Sequence, residues 1–162
     1  MIGIDPIAAI VSGINAINAI RLDKIEEKAL LEEVLEELKD NLKTLKDDYL
    51  KNDCTIETII PILKISNLEK AEKARKRKKL DFNKIKAGKI DKSCFVSDHQ
   101  RKYYSDFDTE KALLKLGEKV KDIKKAKQLY FKRNKWSVKV NQKSRMNTIE
   151  ELFVLISNHL SK

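Results

Sequence analysis

Turn formers are scarce. Four glycines and two prolines in 162 residues are too few for the tight turns of a many-stranded β fold, so helices are favoured before any pattern is read. Gly3, Gly13, Gly88 and Gly117 stand apart from one another, which excludes a glycine-rich phosphate loop. The only cysteines, Cys54 and Cys94, show no CxxC spacing and no flanking histidine cluster. Neither a disulfide framework nor a zinc site is expected, and a reducing, cytoplasmic compartment fits best. His99 and His159 are the only histidines, far apart and without a carboxylate or thiol at a metal-ligand spacing. No catalytic residue, metal ligand or cofactor is expected, and the chain does not read as an enzyme. The chain opens without a basic n-region or cleavage site, and no run of about 18 apolar residues exists to cross a bilayer. It is therefore expected to be neither secreted nor integral as a monomer.

What is present points to long solvated helices. Apolar residues make up 41% and charged ones 37%, the latter well above the roughly 25% of average proteins. The fold class expected is all-α, a four-to-five-helix bundle of long amphipathic helices forming one domain over residues 1–162. Asp5 and Pro6 signal a helix start, since Asp caps free N–H groups and Pro presets φ in the first turn. From there Ile7, Ile10, Ile14 and Ile17 recur by three and four along one face, with Val11 and Ile20 beside them. Asp23 and Glu26 offer a second cap, at which the chain turns or continues as a kinked helix. Leu31, Leu35, Leu38, Leu42, Leu45 and Tyr49 then mark a second helix of bundle type, because the heptad run is too short for an extended coiled coil.

Residues 55–68 predict a third helix, kinked or restarted at Pro61. A fourth starts near Asp108 or Thr109 with Leu113, Leu116, Val120, Ile123 and Tyr130 on one face. After a linker at 134–145 holding the only tryptophan, Thr148 and Glu151 form a capping-box pattern for a last helix through Leu160. Trp136 in that linker is expected to pack against the second and fourth helices.

The net charge of +10 favours anionic partners, and much of it sits in one place. Lys73, Arg75, Lys76, Arg77, Lys78 and Lys79 lie in a basic segment, 69–105, expected to fray from helix into a flexible loop or short hairpin. Such a run suits an anionic membrane surface or a nucleic-acid backbone. The nearest aromatics, Phe82, Phe95, Tyr103 and Tyr104, are too sparse for a base-stacking platform.

Two stretches together resemble a known family. Ile4-Asp5-Pro6-Ile7-Ala8-Ala9-Ile10-Val11-Ser12-Gly13-Ile14, followed by the leucine-rich helix from Leu31 to Tyr49, is similar to the N-terminal helical domains of the HeLo and HeLo-like families. Lys135-Trp136-Ser137-Val138-Lys139, followed by the helix from Ile149 to Leu160, is similar to the connector and final helix that close such domains. The basic stretch 69–92 has no counterpart in that pattern. The resemblance implies a four-to-five-helix bundle akin to the executioner domains of necroptosis kinases and plant coiled-coil immune receptors. It also implies regulated membrane permeabilisation in cell death or innate immunity, with the first helix released to engage lipid.

The functional expectation is thus a membrane-directed cell-death or defence effector that oligomerises and permeabilises membranes through its N-terminal helix. Ile7, Ile10, Val11, Ile14, Ile17 and Ile20 would form the membrane-insertion face; Lys73, Arg75, Lys76, Arg77, Lys78 and Lys79 would bind the anionic surface. The partners implied are an anionic membrane, further copies of the chain and a regulatory protein. The alternative is a basic helical interaction module that binds nucleic acid or a protein partner, with the isoleucine face serving only as core.

Overall fold

The computed structural model describes residues 6–19, 25–52, 54–131 and 141–162. Among them the fold is all-α, with seven α-helices and no strands. They are α1 (Pro6–Ala19), α2 (Ile25–Lys43), α3 (Ile56–Ile62), α4 (Ser66–Lys76), α5 (Asp98–Tyr104), α6 (Thr109–Phe131) and α7 (Gln142–Leu160). The count exceeds the expected four to five because the third helix divides into α3 and α4 and the basic segment adds one short helix, α5.

α1 covers Pro6–Ala19, the Asp5 of its expected cap lying outside the described residues, and its Ile10 and Ala9 are buried. It packs on α2 and α7; the cap expected at Asp23 lies outside the described residues. Leu31, Val34, Leu35, Leu38 and Leu42 of α2 enter the core. The helix then widens into a π-helical stretch, Thr44–Lys51, which buries Leu45 and half-buries Tyr49.

α3 carries Pro61 in its last turn. Proline lacks the N–H that would bond the carbonyl four residues back, and the Lys127 ammonium donates to that Glu57 carbonyl instead. The chain leaves helical geometry at Leu63, with ψ 126°, and restarts at Ser66. Two buried side chains of α2 fix this junction. Asn41 accepts from the Lys64 N–H at 2.7 Å and donates to the Lys64 carbonyl at 2.6 Å. Glu37 accepts from Ser66 Oγ at 3.0 Å and from the N–H groups of Asn67 and Leu68 at 2.9 and 3.0 Å, so a carboxylate from another helix caps the first turn of α4.

The segment after α4 is not the loose loop expected. It buries Leu80, Phe82, Ile85, Ile90, Cys94 and Phe95 around two 3₁₀ turns, Phe82–Lys84 and Lys92–Cys94. Glu27 of α2 accepts from the Asp81 N–H at 3.0 Å and pairs with Lys84 at 2.8 Å. In place of a hairpin there is one isolated antiparallel bridge, Lys89 to Asp108. Apolar spacing is a poor guide here because each residue is placed by burial rather than by a period.

α6 starts at Thr109, with the Asp108 carboxylate accepting from the Lys111 N–H at 2.8 Å, and buries Leu113, Leu116, Val120 and Ile123. α7 starts six residues before the predicted box: Asn141 is the cap, accepting from the Ser144 N–H at 3.1 Å. Thr148 instead lies inside the helix, where its hydroxyl donates to the Ser144 carbonyl at 3.0 Å, a back-bond that satisfies a hydroxyl in mid-helix. Glu151 meets His99 at 3.0 Å. The buried apolar side chains from Ile10 to Leu160 form one cluster. Trp136 lies outside the described residues.

Candidate functional site

The basic stretch is the C-terminal turn of α4. That helix ends in a Schellman turn, in which the Lys79 N–H reaches the Ala74 carbonyl at 2.9 Å and the Lys78 N–H reaches the Arg75 carbonyl at 2.8 Å. Lys78 holds the position where glycine is usual and adopts φ 56°. A side chain in the left-handed region costs on the order of 1 kcal/mol relative to glycine. Local stability alone would therefore favour another residue at this position.

The six cations of the stretch fall into two groups. Arg75 is half-buried and pairs with Glu110 at 3.1 Å, while Lys76 pairs with Glu72 at 2.8 Å. The carboxyl pKa of Glu72 is lowered by its bonds to Lys76 and then Lys121. These two cations belong to the α4–α6 contact. Lys73, Arg77, Lys78 and Lys79 are exposed and have no carboxylate within ion-pair distance among the described residues. The field outside the turn comes from these four.

The first helix carries no charged side chain from Pro6 to Ala19. Ile10 is fully buried, Ile7 and Ile14 are half-buried, and Val11 stands 40% exposed. Ile17 lies within α1 but its side chain, like all of Ile20, is outside the described residues. The predicted face is therefore split between core and solvent. A Cβ at Gly13 would lie 3.5 Å from Leu160 and 3.6 Å from Leu35, so α1 rests closely in the groove between α7 and α2. Fourteen residues at a 1.5 Å rise span about 21 Å. No helix among the described residues is long and apolar enough to cross a membrane.

The two features sit on different elements: α1 on α2 and α7, α4 on α2 and α6. α2 relates them. Asp81, just past the basic turn, is fixed to Glu27 near the start of α2, and α1 ends at Ala19, six positions before α2 begins at Ile25. Both lie toward the same end of α2.

Both histidines are placed by packing. His159 is buried, and its Nε2 lies 2.9 Å from Thr109 Oγ1, which donates to the Lys86 carbonyl at 2.7 Å. That leaves the imidazole to donate, as a neutral ring. Burial, reinforced by nearby Lys86, pulls its pKa down to about 4. This chain of bonds ties α7, α6 and the segment after α4 together inside the core. Cys94 is buried, and burial raises its thiol pKa, the opposite of an activated nucleophile. No three His, Cys, Asp or Glu side chains among the described residues converge on a metal site.

Sequence reasoning did not find Glu27, Glu37 and Asn41, the buried polar side chains of α2. In a leucine-repeat helix rich in Glu and Lys they look like solvent-facing positions, and no local signal separates them. The lysines at 121, 124 and 125 were detectable from their i, i+3, i+4 spacing on α6. No protein-family model matches this chain, and no curated protein or solved structure matches it.

Proposed function

We propose that this protein is a membrane-directed helical effector of the cell-death or defence type, in which the α4 turn gathers the molecule on anionic lipid and α1 then leaves its groove to insert. The HeLo-like resemblance of the sequence agrees with this reading. The observation that carries it is the cationic turn: Lys73, Arg77, Lys78 and Lys79 are exposed with no carboxylate within ion-pair distance among the described residues, and one of them is retained at φ 56°. Backbone strain kept at an unneutralised charge points to a use for that charge.

α1 suits the second step. Its burial is apolar and therefore transferable from protein to lipid, and its length falls short of the roughly 30 Å hydrocarbon core. Perforation thus requires several copies and a thinned bilayer, with the cytoplasm as the compartment from which the membrane is approached.

The alternative, a basic module on nucleic acid or a protein partner, uses the same turn. Phe82, the aromatic nearest to it in sequence, is fully buried and unavailable for stacking on bases. Nucleic-acid binding would therefore rest on phosphate contacts alone and fall steeply with salt.

Two variants separate these readings in a vesicle-leakage assay. Each engaged Lys or Arg contributes about 1 kcal/mol at an anionic surface, so Arg77→Gln, Lys78→Gln and Lys79→Gln together should weaken vesicle binding about a hundredfold. Val11→Glu alters an exposed position, so the protein should stay folded and still bind vesicles. A carboxylate in lipid costs about 3 kcal/mol, and leakage should therefore drop. Leakage unchanged by Val11→Glu would sink the insertion step. Retained vesicle binding by the triple variant, with loss of RNA binding on filters, would transfer the turn to the alternative.

A further inference from the structure

Where α6 passes the α3–α4 junction a groove of about 730 Å³ opens between them. Pro61 and Ile65 give it an apolar floor, and Lys121, Lys124, Lys125 and Gln128 form its α6 wall. These positions recur at i, i+3, i+4 and i+7, a single stripe of the helix. It is a different stripe from the buried Val120, Ile123 and Ala126. Lys64 closes the facing side. Its main chain is pinned at both ends by Asn41, while its ammonium extends to 3.5 Å from Asp40.

The carboxylates nearby are already engaged. Glu69 and Glu72 lie 3.5 and 3.0 Å from the Lys121 ammonium, and Glu37 is turned into the first turn of α4. Lys124 and Lys125 have no carboxylate within ion-pair distance among the described residues. Lys124 is half-buried, and desolvation lowers its pKa despite the more distant Glu37 and Glu69. A cation withdrawn from water without a counterion is unfavourable, and a bound anion relieves that.

We propose that this groove binds a compact, phosphate-bearing polyanion, with Lys124 and Lys125 as its principal contacts and Lys64 and Gln128 at its flanks. The lining chooses the chemistry. Its side chains supply lysine point charges and no arginine fork, a donor set that serves phosphate oxygens, whose binding needs no fixed bidentate plane. The volume falls within the roughly 300–1,000 Å³ of small-molecule sites. The apolar floor leaves room for an organic body beside the phosphates. None of these contacts involves α1 or the basic turn, so the site stands apart from the membrane reading.

Tripolyphosphate is the soluble probe, titrated by calorimetry at fixed ionic strength with sulfate as the screening control. Lys124→Gln with Lys125→Gln should weaken its binding about tenfold or more. The triple neutralisation of the α4 turn should leave it within about twofold, as expected for a distant site. Lys125→Gln alone, at an exposed position, should give part of the loss even if the Lys124 change lowers the melting temperature. Phosphatidylcholine vesicles doped with phosphatidic acid supply the same phosphomonoester from lipid. Binding to these vesicles but not to tripolyphosphate, with dependence on Lys124 and Lys125, would place the phosphate on a headgroup. Equal binding of both probes by wild type and double variant, or binding of neither, overturns the site.

Discussion

α1 and α4 are both helices laid against α2, but they are held by different physics. α1 rests in its groove through Ile10, Ala9 and the close approach at Gly13. α4 is held by directed bonds at both ends: Glu37 caps its first turn, and the segment leaving it is tied to Glu27. Apolar docking has no direction and can be remade against another apolar phase. A buried carboxylate on three donors has one geometry, and breaking it leaves charge and N–H groups stranded. The contrast suits a molecule in which one helix moves and the remainder stays assembled.

The largest expected effect tests the directed side. Glu37→Ala leaves the Ser66, Asn67 and Leu68 donors without their acceptor and should cost about 3 to 4 kcal/mol in denaturant unfolding. Glu37→Gln keeps an acceptor and should cost about half as much. Ile10→Ala removes apolar volume from a fully buried site and should cost about 2 to 3 kcal/mol. In native-state hydrogen exchange the α1 amides should open before those of α4. Equal protection of the two helices would remove the basis of the contrast.

Acid should loosen the directed region specifically. The unfolded chain takes up a proton at His159 near pH 6.5, whereas the folded ring resists it until about pH 4. The contribution of the neutral imidazole is therefore complete above about pH 6.5 and is lost as pH falls through about 4, a swing on the order of 3 kcal/mol. Burial raises the carboxyl pKa of Glu150, which favours the fold as pH falls and opposes this trend. Comparing the pH dependence of stability in wild type and His159→Gln isolates the histidine. α1 has no titratable side chain between Pro6 and Ala19, so its docking has no local pH dependence from within the helix.

The smallest effects are also the sharpest. At Gly13 a methyl group finds ordinary contact, with nothing nearer than 3.5 Å. Gly13→Ala should thus stabilise by about 0.5 to 1 kcal/mol and reduce leakage by holding α1 in place. At Gly117 the same methyl would lie 3.1 Å from Leu68, so Gly117→Ala should lose most or all of that gain. Lys78→Gly relieves the left-handed lysine and should stabilise by about 0.5 to 1 kcal/mol while weakening vesicle binding. A variant that gains stability without losing binding would show that the lysine's charge has no role there.

The sequence by itself determined the helical class, the start of α6, the leucine face of α2 and the apolar face of α7. Each of these follows from a period or a cap written within a few neighbouring residues. It also located the basic run, since charge composition is local. Tertiary structure decided which charges remain free. Arg75 and Lys76 look like Arg77 and Lys78 in the sequence, yet the first two meet Glu110 and Glu72 and the others meet no carboxylate among the described residues. It likewise decided that Glu37 and Asn41 are internal clasps, that Asn141 rather than Thr148 caps α7, and that Leu80 to Phe95 is packed core. These outcomes depend on partners tens of residues away, and the pairing of a charge or the burial of an irregular segment has no periodic trace in the sequence.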